Sequence, residues 1–244
     1  MRIQKAKEYG MADVRERKQN DVLMVIPAYN EADSIEQVVD RIVTQYPELD
    51  YIVVTDGSTD GTDAITRRRG YHAIHLTKNL GLAGAFQVGM RYADEHAYRY
   101  AVQFDGDGQH KPEYIHAMWK KAEEGYDIVM GSRFIGPRGE AANIGGMRNI
   151  GSKLIRLSIR LKTGVTVTDP TCGLRMYNAS IIRRFAHEDA LVPEPNTIAR
   201  LIREGAKVAE VPVTVADRQA GESYLKPMRA VKYMWRMLSS ILFG

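Results

Sequence analysis

The stretch AVQFDGDGQHKPEYI, residues 101–115, decides how the chain is read. An apolar run, Ala101–Phe104, breaks into Asp105-Gly106-Asp107-Gly108-Gln109-His110. A short apolar run closed by Gly and Asp reads as a buried strand that ends in a polar loop. Pro112 then stands where a following helix would start, a position at which its missing N–H costs nothing. Strand, polar loop and helix together form the repeating unit of an α/β sheet.

Outward from this unit the same alternation recurs. Val22–Ile26 is a continuous apolar run, as expected of a parallel strand buried on both faces. Ile35, Val38, Val39, Ile42 and Tyr46 follow at helical spacing. Tyr51–Thr55 reads as a strand, with a helix through Ala64 and Ile65. His72–Leu76 reads as a strand, Gly84–Ala93 as a helix, and Asp127–Met130 as a fifth strand after Tyr100–Phe104. The fold class is therefore α/β, a Rossmann-like, mostly parallel sheet with helices on both faces.

The second half is less regular. Gly136–Gly146 holds four glycines and one proline in eleven residues and reads as a mobile loop. Asn149–Lys162 reads as a helix with an apolar stripe of Ile150, Leu154, Leu157 and Leu161 beside a basic stripe of Lys153, Arg156 and Arg160. Leu174–Tyr177 and Lys207–Val215 read as strands, the latter near an edge because of Pro212. Pro195-Asn196 suits a helix start, and Pro227–Phe243 reads as a helix rich in Met, aromatic and basic residues. This divides the chain into a polar extension over 1–20, one α/β domain over 21–225 and an amphipathic helix over 226–244.

Composition narrows the class. The 244 residues carry a formal charge of +4, with 44% hydrophobic and 26% charged side chains, as in a soluble globular domain. The first twenty residues lack the apolar core of a secretory signal, and no run of eighteen apolar residues occurs. The single cysteine, Cys172, excludes an internal disulfide and suits a reducing compartment. It is a nucleophile candidate by residue type, though a lone Cys more often fills a small core site. Positive charge gathers in two places. Five basic and no acidic residues lie in 148–162, and five basic and one acidic residue in 218–236.

Three polar clusters follow expected strands: Pro27-Ala28-Tyr29-Asn30-Glu31, Asp56-Gly57-Ser58-Thr59-Asp60-Gly61, and Asp105 to Gln109. In a parallel sheet all three share the rim where α/β folds bind ligands. Were the last cluster extended, Asp105, Asp107 and Gln109 would point the same way and offer oxygens to one hard cation, Mg²⁺ or Mn²⁺. A calcium loop fails on spacing. Counting from Asp105 puts His110 and His116 at its sixth and twelfth positions, and counting from Asp56 puts Arg67 at the twelfth. No phosphate-binding P-loop, dinucleotide fingerprint, serine-hydrolase elbow or zinc-protease spacing is present.

The ordered set VIPAYNE (25–31), VVTDGSTDGT (53–62), KNLGLAGA (78–85), FDGDGQHKPE (104–113), GSRF (131–134), RNIGS (148–152), DPTCGLRMY (169–177) and AEVPV (209–213) resembles family 2 glycosyltransferases of the GT-A fold. The likeness is strongest to the dolichol- or polyprenyl-phosphate sugar synthases. It covers about residues 21–224. It implies that Pro27, Tyr29 and Glu31, with Asp56, Lys78 and Gly106, hold the nucleotide part of a nucleotide-sugar donor. Asp105 and Asp107 would form the metal-binding D-x-D with Gln109 as a further ligand, and the cofactor would be Mg²⁺ or Mn²⁺. Arg133, Arg148 and Ser152 would grip the phosphate of a polyprenyl phosphate acceptor, and Arg218 would close over the site.

The resemblance implies an inverting, metal-dependent transfer with Asp107, Arg133, Arg148 and Arg218 carrying the chemistry. The amphipathic basic helices over 149–162 and 227–243, with Tyr233, Trp235 and Phe243, suit a membrane interface, so peripheral attachment to the cytoplasmic face of a membrane is expected, with no nucleic-acid partner. The apolar close at Ile241-Leu242-Phe243-Gly244 suits further chain, or a small membrane protein, as an anchor. Asn196 stands about where lipid-phosphate relatives carry Glu. Glu188-Asp189 resembles the base pair of relatives that extend glycans, so a hydroxyl acceptor on a polysaccharide is the alternative. A nucleotidyltransferase and a non-catalytic phosphate binder are two further classes.

Overall fold

The computed structural model describes residues 20–136, 146–214 and 227–243, without the side chains of 146–150 and 227–232. The segments 1–19, 137–145 and 215–226 lie outside it. Both the Gly136–Gly146 loop, except Gly136 and Gly146, and the polar N-terminal extension, except Asn20, therefore fall beyond the described residues.

The core is a seven-stranded sheet. Its strands are β1 (Val22–Ala28), β2 (Asp50–Asp56), β3 (Ala73–Leu76), β4 (Tyr100–Gln103), β5 (Ile128–Ser132), β6 (Arg175–Asn178) and β7 (Val208–Pro212), in the order β3-β2-β1-β4-β6-β5-β7. All neighbours are parallel except β6, which runs antiparallel between β4 and β5. The expected strands are all present within a residue or a few. The Lys207–Val215 run is shorter than read, because Pro212 ends the pairing at Ser132. Leucine, valine and isoleucine dominate β1 because both of its faces are covered, and every residue of it is buried.

The helices divide between the two faces. Helices α1 (Ile35–Gln45) and α4 (Ile115–Glu123) cover one face, where Ile35, Val39, Ile42 and Met118 meet Met24, Ile26 and Val102. A short helix, α2 (Thr62–Arg68), follows β2. The other face is covered by α3 (Gly81–Glu95), α5 (Gly146–Thr163), α6 (Ala179–His187), α7 (Pro195–Arg203) and α8 (Pro227–Phe243). There Phe86, Phe185 and Tyr177 pack edge-on or tilted around one another with ring centroids 5.1–6.0 Å apart. The sequence reading passed over α6. Its signal was present, with Asn178 capping the Ile181 N–H and Ile181, Ile182, Phe185 and Ala186 forming its buried face.

Helix α3 approaches β1 unusually closely. A Cβ on Gly89 would lie 2.1 Å from Val25 Cγ1, so only glycine lets the helix settle there. Gly89→Ala should cost about 1–3 kcal/mol in chemical denaturation. The cost should shrink in a Val25→Ala background, and equal costs in both backgrounds would show that this contact is not the cause.

Candidate active site

The rim at the carboxyl ends of β1, β2 and β4 gathers the three polar clusters, because these strands are parallel neighbours. The clusters are also stitched to one another. Asn30 sits in the left-handed region at φ 56°, a conformation Asn tolerates, and its Oδ1 accepts the Thr59 N–H at 2.8 Å. The Glu31 N–H donates to Thr62 Oγ1 at 2.9 Å, and the Ala32 N–H to Asp60 Oδ2 at 3.1 Å. Burial works to raise the pKa of Asp60, but hydrogen bonds from Thr62 and Ala32 prevail and lower it. Buried Ser34 links the first and third clusters, with its Oγ 2.9 Å from both the Glu31 carboxylate and the Gly106 carbonyl.

Asp56 is buried at the tip of β2, and its Oδ1 accepts the Leu80 N–H at 2.7 Å. This draws the segment 78–80 onto Gly57, where a Cβ would lie 2.7 Å from Asn79 N and φ is +62°. Lys78 is thereby held at the rim with its side chain exposed. Tyr29 is half-buried at the end of β1, and Gly106 lies over Pro27, whose carbonyl oxygen would be 3.3 Å from an added Cβ.

The acidic segment is not extended. It turns at Gly106-Asp107, Gly108 takes φ 75°, and the Gln109 N–H folds back on Asp107 Oδ1 at 3.0 Å. A carboxylate that captures the N–H two residues ahead makes its own turn, and this overrides the alternation assumed from the sequence. Asp105 is half-exposed beside buried His110, whose Nδ1 lies 3.6 Å from Asp105 Oδ2. Among the described residues no three His, Cys, Asp or Glu side chains converge as a ready cation cage. Two neighbouring carboxylates with an amide still fit Mg²⁺ or Mn²⁺, which take the remainder of their ligands from water and substrate phosphate.

Arg133 lies at the end of β5, whose carboxyl end shares the rim because β5 and β4 run the same way on either side of β6. Its guanidinium is engaged by Asp169, with Nε 2.6 Å from Oδ2 and Nη2 2.8 Å from Oδ1, and Nη2 also reaches Thr171 Oγ1 at 3.0 Å. Burial opposes the charge on Arg133, but the Asp169 carboxylate raises its pKa on balance. Asp169 is fully buried, and its own N–H donates to Glu210 on β7. Ser152 is buried on α5, and its Oγ has no partner among the described residues. The Arg148 side chain and all of Arg218 lie outside the described residues.

The sequence reading gave no role to Asp169 and placed Arg156 only in the basic stripe of an interfacial helix. Arg156 stacks over Phe134 at 4.8 Å, while Arg133 lies 5.9 Å from the same ring, and Arg156 Nε is buried with no partner among the described residues. One turn separates Arg156 from Ser152 on α5. The pattern R-x-x-x-S-x-x-x-R over 148–156 was visible, but its last member looked like part of that basic stripe. Cys172 is no nucleophile: it is 2% exposed, and burial pushes its thiol up to about 11.

A polar rim at the carboxyl ends of a mostly parallel sheet suits a ligand-binding enzyme, and comparison with known proteins gives its class. The model of glycosyl transferase family 2 matches residues 24–185, and the chain belongs to that family. An undecaprenyl-phosphate mannosyltransferase from Micrococcus luteus is 35% identical over 212 residues, covering 83% of this chain and 86% of that protein. A polyprenol monophosphomannose synthase from Mycolicibacterium smegmatis is 28% identical over 88% of this chain and 84% of its own length. Among solved structures, glucosyl-3-phosphoglycerate synthase from Mycobacterium tuberculosis with UDP aligns at TM-score 0.65 and 18% identity, over 91% of this chain and 80% of that one. A mannosyltransferase from Pyrobaculum calidifontis with GDP-Man and Mn²⁺ aligns at TM-score 0.59 and 19% identity, over 91% of this chain and 64% of that one.

Removing Asp169 would leave the Arg133 guanidinium half-buried without its counter-ion. Asp169→Ala should therefore cost about 3 kcal/mol, read from urea unfolding. A loss well under 1 kcal/mol would show that the pair adds little.

Proposed function

We propose that the enzyme transfers a sugar, with inversion, from a nucleoside diphosphate donor to a polyprenyl phosphate, using Mg²⁺ or Mn²⁺. The observation that carries this is the division of the rim. Carboxylates gather at the β1, β2 and β4 tips, while Arg133 and Arg156 meet at the Phe134 ring just past β5, with Ser152 one helical turn before Arg156. The relatives named for undecaprenyl-phosphate and polyprenol substrates support the acceptor.

Pro27, Tyr29, Glu31 and Asp56 would form the floor for base and ribose, with Lys78 and Gly106 beside the diphosphate. Asp105, Asp107 and Gln109 would hold the divalent ion. When bound, that ion stabilises charge on the departing diphosphate as a Lewis acid. The acceptor's phosphate oxygen forms the new bond to the anomeric carbon as the bond to the diphosphate oxygen breaks, and the electron pair leaves with the nucleoside diphosphate. The attacking oxygen is already anionic, so no side chain has to remove a proton. Arg148, Ser152 and Arg156 would orient that phosphate, with Arg218 closing the site. Asp169 and Thr171 take Nε and Nη2 of Arg133, so its phosphate contact falls to Nη1.

Glu188 and Asp189 do not favour a hydroxyl acceptor. Glu188 is bound by Arg184 and Arg200, and Asp189 lies on Gln87 and Arg91, beyond the first turn of α3. A general base has to be free to take its proton, and Glu188 is committed to two arginines.

The membrane contact we propose is the outer face of α5. Leu154, Leu157 and Leu161 are 39%, 52% and 71% exposed there, with Lys153 and Arg160 exposed beside them. The core is served by a different row, Ile155 and Ile159. Helix α8 buries Met237 and Ile241 and exposes Trp235 and Phe243. No helix among the described residues is long and apolar enough to cross a membrane. We place the enzyme peripherally on the cytoplasmic face, with 226–244 as a helix that joins the 21–225 domain to that surface. A small membrane protein could serve as further anchor.

Asp107→Ala should abolish nucleoside diphosphate release from UDP- and GDP-sugars in the presence of polyprenyl phosphate, with the fold kept and melting lowered only by the loss of the turn bond to Gln109. Full turnover of that variant, or of the wild type in chelator, would end the metal assignment. Leu157→Glu with Leu161→Glu should weaken flotation with anionic vesicles about tenfold or more, while water-soluble phosphate acceptors are used as before. Unchanged flotation would remove α5 from the interface.

A further inference from the structure

Between β5 and β6 the chain passes through Asp169-Pro170-Thr171-Cys172-Gly173, and the first residue of β6 behind this turn is Arg175. Arg175 is 2% exposed, yet among the described residues no carboxylate pairs with it. Its Nε donates to the Cys172 carbonyl at 2.9 Å and its Nη2 to the Pro170 carbonyl at 2.8 Å. Its Nη1 makes no well-formed hydrogen bond among the described residues, with the buried Tyr177 hydroxyl, also unpartnered there, as its neighbour. A buried cation without a counter-ion is costly, and two carbonyls recover only part of that cost.

The two ends of the turn face opposite halves of the site. Asp169 holds Arg133 on one side. Gly173 abuts the acidic segment on the other, where an added Cβ would lie 3.0 Å from Asp105 Oδ2 and 3.2 Å from His110 Cε1. Arg175 also stands directly opposite Gln103 in the β4–β6 ladder, two residues before Asp105. Gln103 Oε1 is likewise buried with no donor among the described residues.

We propose that Arg175 is a positioning residue for the donor site: it clamps the middle of the 169–173 turn so that Gly173 fixes the Asp105 carboxylate and Asp169 fixes Arg133. The planar fork of Arg spans two carbonyls at once, which the single ammonium of Lys cannot reproduce. The clamp thereby couples the spacing of the acidic and basic halves. The inference rests on the assignment of Asp105 and Asp107 to the donor site.

The test uses the full chain with Arg175→Lys, Arg175→Met, Gly173→Ala and Asp107→Ala. Melting is measured, together with Mn²⁺ binding in the presence of UDP or GDP, followed by the electron paramagnetic resonance of free Mn²⁺. Transfer kinetics provide the third readout. Gly173→Ala should weaken Mn²⁺–nucleotide binding about tenfold and lower kcat with the acceptor KM unchanged, whereas Arg175→Lys, which also loosens Asp169 behind Arg133, should weaken that binding about tenfold and raise the acceptor KM as well. Melting of Gly173→Ala should be that of the wild type, which keeps the test valid if Arg175→Met fails to fold. If Gly173→Ala and Arg175→Lys bind Mn²⁺–nucleotide as the wild type does, while Asp107→Ala does not, the clamp is wrong and the donor site stands. If Asp107→Ala also binds and turns over normally, the donor-site reading itself fails.

Discussion

One reversal of chain direction organises this enzyme. Strand β6 is antiparallel between β4 and β5, so its beginning, not its end, meets the rim. Without that reversal the turn before β6 would lie at the opposite edge of the sheet. With it, Asp169 reaches Arg133 and Gly173 reaches Asp105 from a single short segment. The acidic and basic halves of the site are thus held by backbone hydrogen bonds of the sheet, which are costly to break when buried.

The electrostatics follow from this arrangement. Carboxylates at the β1, β2 and β4 tips would repel a diphosphate unless a cation intervened. Arginines across the turn attract phosphate directly, and planar guanidinium groups do so with fixed geometry. Asp169 tempers Arg133 without cancelling it, because the same carboxylate that consumes two of its donors also fixes where the remaining edge points. A guanidinium left loose would have to be ordered at each turnover, and that ordering costs side-chain entropy.

The first half of the fold was legible because its strands are continuous apolar runs and its helices keep a regular period. Val22–Ile26 and Ile35–Ile42 need no tertiary information to be read. The acidic segment was legible as a site but not as a shape. Asp107 folds the Gln109 N–H back onto itself, a local hydrogen bond that residue alternation ignores. On α5 the sequence shows two apolar rows and does not say which one meets the core. Ile155 and Ile159 do, and the more regular row of Leu154, Leu157 and Leu161 faces outward. Arg175 was unreadable for another reason. A single arginine in an apolar strand looks like an edge residue until the register places it opposite Gln103, inside the sheet.

The thiol of Cys172 lies in the middle of the turn, with its Sγ 3.3 Å from the position of a Cβ on Gly131. Buried and held in its protonated form, it is almost inert toward alkylating reagents while the turn is shut. Reaction then requires the turn to lift from the sheet, a local opening far rarer than ordinary side-chain motion. Because the chain has only this one sulfhydryl, its labelling rate is a clean clock for that opening. The enzyme thus carries its own reporter of how often the two halves of its site come apart.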